Sequence, residues 1–361
     1  MNGRLDSIDV LRGIDMLFLM GLHHVISAVF AWDSRFFLVR QMKHVAWQGF
    51  SQRDLVFPLF LFIAGLSFPF SLAAQRARGR TTRAIVCGIV RRGLVLTCLG
   101  LLCSGVLSKP LDEVVWGTVL GQIGFAWGVA ALLSLATSWR ARAGVVGFLL
   151  VAYTVVLRTC VAPDHPDLSS FSMDGNIAGW IDRQVFPNAA GHYYAQGILA
   201  HVSAVATALL GVLTGEFVRS RRLDGDRTSL ALAVAGVVLA AAGFAADAVG
   251  LVPVVKKMWT PSFVLVAGGW SVFLFALLHW LVDVRGIWTR TTAFRAVGMN
   301  AITIYLIVSF FDFWALAKNF TGFAYRCLPA YFGDVLSAAV ELAIAWGLLV
   351  FLYRKKVFLK V

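Results

Sequence analysis

Apolar runs recur along the whole chain and are separated by short polar connections. The runs fall near residues 8–31, 54–74, 84–107, 116–136, 143–161, 197–218, 229–249, 260–282, 293–315 and 333–353. A helix needs about 17–25 predominantly apolar residues to cross a bilayer. The pattern therefore predicts an all-α polytopic membrane protein of about ten transmembrane helices. No connection is long enough for a separate soluble domain, so residues 1–361 are expected to form a single transmembrane domain. Two connections exceed what a turn requires. Residues 32–53 carry Trp32, Arg35, Phe36, Phe37, Arg40, His44 and Trp47, which suits an interfacial or re-entrant segment after the first helix. Residues 162–196 are rich in Pro, Asp, Asn and Gly and include His165, His192 and Gln196; long loops of this kind are usually binding surfaces or lids.

Composition agrees with the pattern, since 59% of the 361 residues are hydrophobic and 14% charged, against about 25% charged in soluble domains. A net charge of +13 would ordinarily raise the question of nucleic acid. Here the basic residues sit in short connections, such as Arg76, Arg78, Arg80 and Arg83, or Arg354, Lys355 and Lys356, rather than on one stripe. That is a topology signal: the bias places both termini in the cytoplasm and the acidic loop residues Asp164, Asp167, Asp174 and Asp182 on the other side. The first run carries Arg12, Asp15, His23 and His24 and no small-residue cleavage site, so it is expected to stay as the first span. The five cysteines have no CxxC spacing and are expected to be small core residues.

Ionisable groups inside apolar runs are costly and mark candidate chemistry. His44 and Asp54 are ten residues apart and would lie about 15 Å apart on one straight helix. They meet only if the chain turns between them, which Gly49 permits. A carboxylate beside an imidazole fixes its tautomer and stabilises the imidazolium, as a general base requires; Asp54 is equally suited to cap the second span. Arg12 and His23, eleven apart, fall within about 20° of one helix face and about 16 Å apart along it. Adjacent His23 and His24 point about 100° apart and are not expected to share a metal. Arg91 and Arg92 could hold phosphates or simply anchor a helix end. Arg295 and Asn300 open a later span. Lys256 and Trp259, with Trp47 and Gln196, are candidates for a sugar site, although Trp259 also fits an aromatic belt.

The blocks SIDVLRGIDMLFLM, KHVAWQGFSQRDLVFPLFLFIAGLS, VPVVKKMWTPSFVL and VGMNAITIYL resemble the heparan-alpha-glucosaminide N-acetyltransferase family and its bacterial amino-sugar acetyltransferase relatives. The resemblance implies a multi-spanning acyltransferase of the bacterial inner membrane. It would take acetyl-CoA from the cytoplasm and acetylate the amine of glucosamine, or of a glucosamine-terminated saccharide, on the far side. His44 falls on the family's proposed active-site histidine and Asp54 on its associated aspartate. His23 stands where eukaryotic members carry asparagine, and Arg12 followed by His23 also resembles a motif of membrane O-acyltransferases that modify envelope glycans.

The resulting expectation is His44 as base with Asp54, and His23 or Asn300 donating to the thioester carbonyl. Arg12, Arg91, Arg92 and Arg295 would hold the nucleotide, Trp47, Gln196, Lys256 and Trp259 would line the acceptor site, and no metal would be required. A homodimer is left open. The alternatives are an O-acetyltransferase and an amino-sugar transporter, the latter disfavoured by the lack of an inverted repeat or paired interrupted helices in the sequence.

Overall fold

The computed structural model describes residues 5–33, 35–186, 196–220, 222–289 and 291–359. Regular structure among them is helical, with two isolated backbone bridges, Gln48 with Val255 and Val161 with Asn176. The first run comprises α1 (Asp6–Leu17), a π-helical turn (Phe18–Leu22) and α2 (His23–Val29). A short α3 (Phe37–Gln41) follows in the first long connection. The chain then crosses through α4 (Gln52–Ala77), α5 (Thr82–Cys103), α6 (Val119–Ala136) and α7 (Trp139–Thr159), with α8 (Ile177–Val185) in the second long connection. Next come α9 (Ile198–Ser220), α10 (Gly225–Ala248) and α11 (Pro261–Leu278), the last prolonged by a π-helical stretch to Val284. Two short helices, α12 (Thr292–Met299) and α13 (Ala301–Phe310), are bent by 66° about Asn300 and make one broken span. Then α14 (Phe313–Cys327) and α15 (Ala330–Arg354) end the described chain.

Counting the bent pair as one, the described residues give ten crossings. An even number returns the chain to its starting side, so Leu5 and Leu359 share one end of the bundle, the terminal end; the connections holding His44 and Lys256 form the opposite end. Helix starts follow local chemistry. Thr81, Thr118, Ser138, Asp224 and Thr260 each accept a backbone N–H of the first turn, and Pro261 sits in the first turn of α11.

The centre of the bundle is α4, α9 and α11, whose apolar windows are 67%, 67% and 72% buried, whereas α5, α7 and α10 are 22% buried and face lipid. Lipid offers no hydrophobic drive between helices, so close backbone approach must supply the contact. A Cβ on Gly65 of α4 would overlap the Ala208 carbonyl of α9, and one on Gly211 would overlap the Phe62 carbonyl. The α1–α12 crossing has the same construction, with Gly13 against Phe294 and Gly298 against Asp9.

Three expectations are corrected. Cys87, Cys98, Cys160 and Cys327 are exposed rather than core, because in a bilayer the outer flank of a helix is apolar too. Residues 293–315 are not one straight span. Asn300 leaves helical geometry (φ −111, ψ 23), and α14, with Lys318 and Arg326 on it and Phe320 and Phe323 exposed, forms a separate helix at the His44 end. Interrupted helices are also present. The first span carries a π turn with Gly21 at φ 114, and the α12–α13 span is bent, so their supposed absence no longer counts against a transporter.

Candidate active site

The chain between α3 and α4 doubles back. Gly49 takes φ +122, in the left-handed half of φ space that glycine enters freely. Its N–H donates to the Val254 carbonyl at 2.8 Å, beside the Gln48–Val255 bridge. Trp47 secures the loop by donating from its indole to the Phe171 carbonyl at 2.8 Å, and Gln48 donates to Asp247 at 2.9 Å. This folding brings His44 over the first turn of α4. There His44 Nδ1 lies 2.7 Å from Asp54 Oδ1.

Asp54 is 2% exposed, and four donors converge on its carboxylate. His44 and the Lys256 ammonium (3.1 Å) share Oδ1, while the Val45 N–H (3.2 Å) and the Ser51 hydroxyl (2.8 Å) reach Oδ2. Lying in the first turn of α4, Asp54 also benefits from the positive end of the helix dipole, so the cap reading and the partner reading hold together. An ionised carboxylate only accepts, which makes His44 Nδ1 the N–H donor and leaves Nε2 as an acceptor. Lys256 Nζ is 3.3 Å from the same Nδ1; two donors meeting at one oxygen account for that approach. Burial lowers the pKa of Lys256, against which the Asp54 charge and hydrogen bond act.

His44 opens onto a cavity of about 750 Å³ that also touches His23, His24, Arg53, Gln196, Lys256, Tyr305, Asp312, Trp314 and Glu341. Its volume lies in the range of small-molecule sites, about 300–1,000 Å³. The wall is otherwise apolar, with Met20 from the first span, Phe57 and Phe60 from α4, and the Phe310–Phe313 link.

The helix register that put His23 eleven residues above Arg12 on one face assumes an unbroken α-helix. The π turn and the positive φ of Gly21 break it. His23 Nδ1 bonds the Phe18 carbonyl at 2.7 Å, and its Nε2 is buried without a hydrogen-bond partner. Nor do His23 and His24 diverge: their ring centroids are 4.0 Å apart and both line the cavity. His24 Nδ1 lies 2.7 Å from Glu341 Oε2 of α15, and its ring packs on Trp314 at 4.9 Å. Gly21 makes the Glu341 contact possible, since a Cβ there would stand 2.8 Å from that carboxylate. Among the described residues, no group of three or more His, Cys, Asp or Glu side chains is arranged to hold a metal.

Of the acceptor-side candidates, Gln196 and Lys256 line the cavity and Trp47 and Trp259 do not. Trp259 is 1% exposed and donates to Thr207 at 3.1 Å; its ring meets Phe57 and Phe263, so it is a core anchor. Just beyond Gln196, the Ile198 N–H donates to Asp182 at 2.9 Å. Only glycine fits between them, because a Cβ at Gly197 would overlap that carboxylate. Burial raises the Asp182 pKa to about 6. His192 lies outside the described residues.

The guanidinium candidates gather toward the terminal end, away from this cavity. Arg12 pairs with Asp9 at 3.5 Å and Arg295 with Asp6 at 3.5 Å. Arg92 stacks over Trp127 at 4.4 Å, and Arg91 is exposed. Asn300, 1% exposed, donates to the Ala296 carbonyl at 3.2 Å, and its side-chain oxygen is buried without a partner. Sequence reasoning missed Glu341, Arg53 and Trp314. Glu341 had a visible signal, a carboxylate in the middle of the last apolar run; Arg53, at the end of the first long connection, reads as ordinary loop charge.

Residues 4–187 match the family model described as heparan-alpha-glucosaminide N-acetyltransferase, catalytic. The chain belongs to that family. The match begins before α1 and takes in His23, His44 and Asp54, the family block that carries one face of the cavity. The human heparan-alpha-glucosaminide N-acetyltransferase is 26% identical over 420 aligned residues, which cover 99% of this chain and 60% of the human protein. The mouse protein of that name is 26% identical over 384, covering 88% and 56% respectively. The chain thus spans about 60% of the length of the human family member.

Proposed function

We propose that this protein is an acetyltransferase that moves the acetyl group of cytoplasmic acetyl-CoA to the amine of glucosamine, or of a glucosamine-terminated saccharide, presented across a bacterial inner membrane. The observation that carries this reading is the Lys256–Asp54–His44 group facing a cavity shared with His23, in a chain of the heparan-alpha-glucosaminide N-acetyltransferase family. His44 Nε2 takes a proton from the attacking amine, and Asp54 holds the imidazolium that forms. With Nδ1–H given to the Phe18 carbonyl, neutral His23 has no proton on Nε2 to donate. Of the two expected donors to the thioester carbonyl Asn300 remains, through the amide N–H it does not give to Ala296. Arg12, Arg91, Arg92 and Arg295 supply the positive charge for nucleotide phosphates at the terminal end, and the basic residues in the connections at that end support a cytoplasmic orientation for it. Gln196, Lys256 and Trp314 face the acceptor.

The test uses purified protein in detergent with radioactive acetyl-CoA and glucosamine. Acetylglucosamine forms, and His44→Ala abolishes it. Glucosamine flux into liposomes without release of CoA overturns the reading in favour of a transporter. Acetylation of N-acetylglucosamine at a comparable rate overturns it in favour of an O-acetyltransferase, in which His23 would act instead.

A further inference from the structure

The cavity holds two histidine–carboxylate pairs, and the chemistry of amine acetylation has two protons to move. An amino sugar near neutral pH arrives largely as R–NH3+. The balanced reaction, R–NH3+ + CH3CO–SCoA → R–NH–COCH3 + CoASH + H+, removes two protons from one nitrogen. One ends on the thiol sulfur and one in water.

We infer that His24, held by Glu341, is a second base of this site and takes the first of these protons. The inference rests on the acetyltransferase reading above. Both residues lie in apolar spans, where an ionisable pair is costly and points to function. Glu341 is 8% exposed at its side chain and His24 37%, so the carboxylate is the hidden partner and the imidazole the open one. With Nδ1–H donating to Glu341 at 2.7 Å, Nε2 of His24 is left as an acceptor. Trp314, against which His24 packs, offers an apolar ring face to a sugar on the same wall.

The steps balance as follows. His24 Nε2 removes a proton from R–NH3+, leaving the lone pair free, and Glu341 stabilises the imidazolium. The amine nitrogen forms its bond to the thioester carbonyl carbon, and charge gathers on the oxygen. His44 Nε2 takes the second proton from that nitrogen. The C–S bond breaks, the pair of electrons leaves on sulfur, and the His44 imidazolium protonates it. His24 then releases its proton to water.

The charged and titratable groups around His24 are His23 on its own helix, Glu341 from α15, and Lys318 of α14, whose amine lies 5.0 Å over the Trp314 ring. Arg53, His44 and Lys256 face it across the cavity, with Asp312 and Tyr305 on the α13–α14 side. Asp312 caps α14 through Ala315, which leaves Glu341 as the carboxylate on His24.

The experiment measures kcat/KM for glucosamine across pH in the wild type, His24→Asn and Glu341→Gln. A site without the first base accepts only the free amine, so in both variants kcat/KM falls about tenfold per pH unit below the amine's pKa. The wild type holds level over the first unit of that range. Above the amine's pKa the variants return to within a few-fold of wild type. A hydroxylamine-type sugar analogue, neutral at pH 7, is acetylated equally by all three proteins. His44→Ala recovers under neither condition. A variant defect that is the same at every pH, or a wild-type profile that already falls tenfold per unit, overturns the inference and leaves the acetyltransferase reading standing; the wild-type profile decides even if both variants fail to fold. No acetylation by the wild type overturns both.

Discussion

The two histidine–carboxylate pairs in one cavity are built differently. Asp54 sits at a helix N-terminus in a connection and receives four donors, one of them a lysine. Glu341 sits inside the last span and is paired with His24 through one oxygen. The first imidazole is held by a preformed network, the second by the packing of α2 against α15 and α14. The contrast shows how a membrane protein can place two bases in one cavity: the connection supplies polar partners in number, and the span supplies a single, shielded one. Networks lose more than the sum of their bonds when one member goes, so the two pairs should respond differently to substitution.

The largest expected effect is at the first pair. His44→Ala and Asp54→Asn each lower kcat by about 10²–10⁴-fold, and the double variant loses little more than the worse single one, because residues acting as a unit are not additive. Effects that multiply would show that the pair does not work as one group. Next comes Lys256. Lys256→Met removes a charge-assisted bond to a buried carboxylate, for which about 1.5–3 kcal/mol is typical, and lowers the rate about ten- to a hundredfold. Because burial lowers its pKa, the ammonium is present at low pH and is lost as pH rises, earlier than for an ordinary lysine. The rate should therefore carry an alkaline limb, which Lys256→Arg moves upward.

The smaller effects are on stability and separate the two glycine turns. Gly21→Ala meets both a left-handed φ, costing about 1–2 kcal/mol, and the Glu341 carboxylate 2.8 Å away. Gly49→Ala meets the backbone cost alone, its nearest neighbour being Val45 at 3.4 Å. Thermal unfolding in detergent should rank Gly21→Ala well below Gly49→Ala, with Gly21→Ala also damaging the second pair.

Much of this architecture is legible in the sequence because bilayer thickness is a length rule, and ten apolar runs gave ten crossings. His44 and Asp54 could be paired on paper because Gly49 offered a turn between them. Contacts set by a broken helix could not. Nothing in GLHHV announces that Gly21 will take φ 114 and swing both histidines onto one wall. The partnership of His24 with Glu341 spans 317 positions and depends on how the last helix packs. Trp259 looked like a sugar platform because a tryptophan at a span boundary reads alike whether it faces inward or outward. Its burial beside Thr207 is a tertiary fact.

The exposed cysteines have a practical consequence. Cys160 and Cys327 end α7 and α14 at the His44 end, with Cys87 and Cys98 on the lipid-facing flank of α5. They are native reporters of polarity. A membrane-impermeant maleimide added to intact cells reaches the first two only if the His44 end faces outward, so the orientation of the protein in its membrane can be determined without introducing a single new thiol.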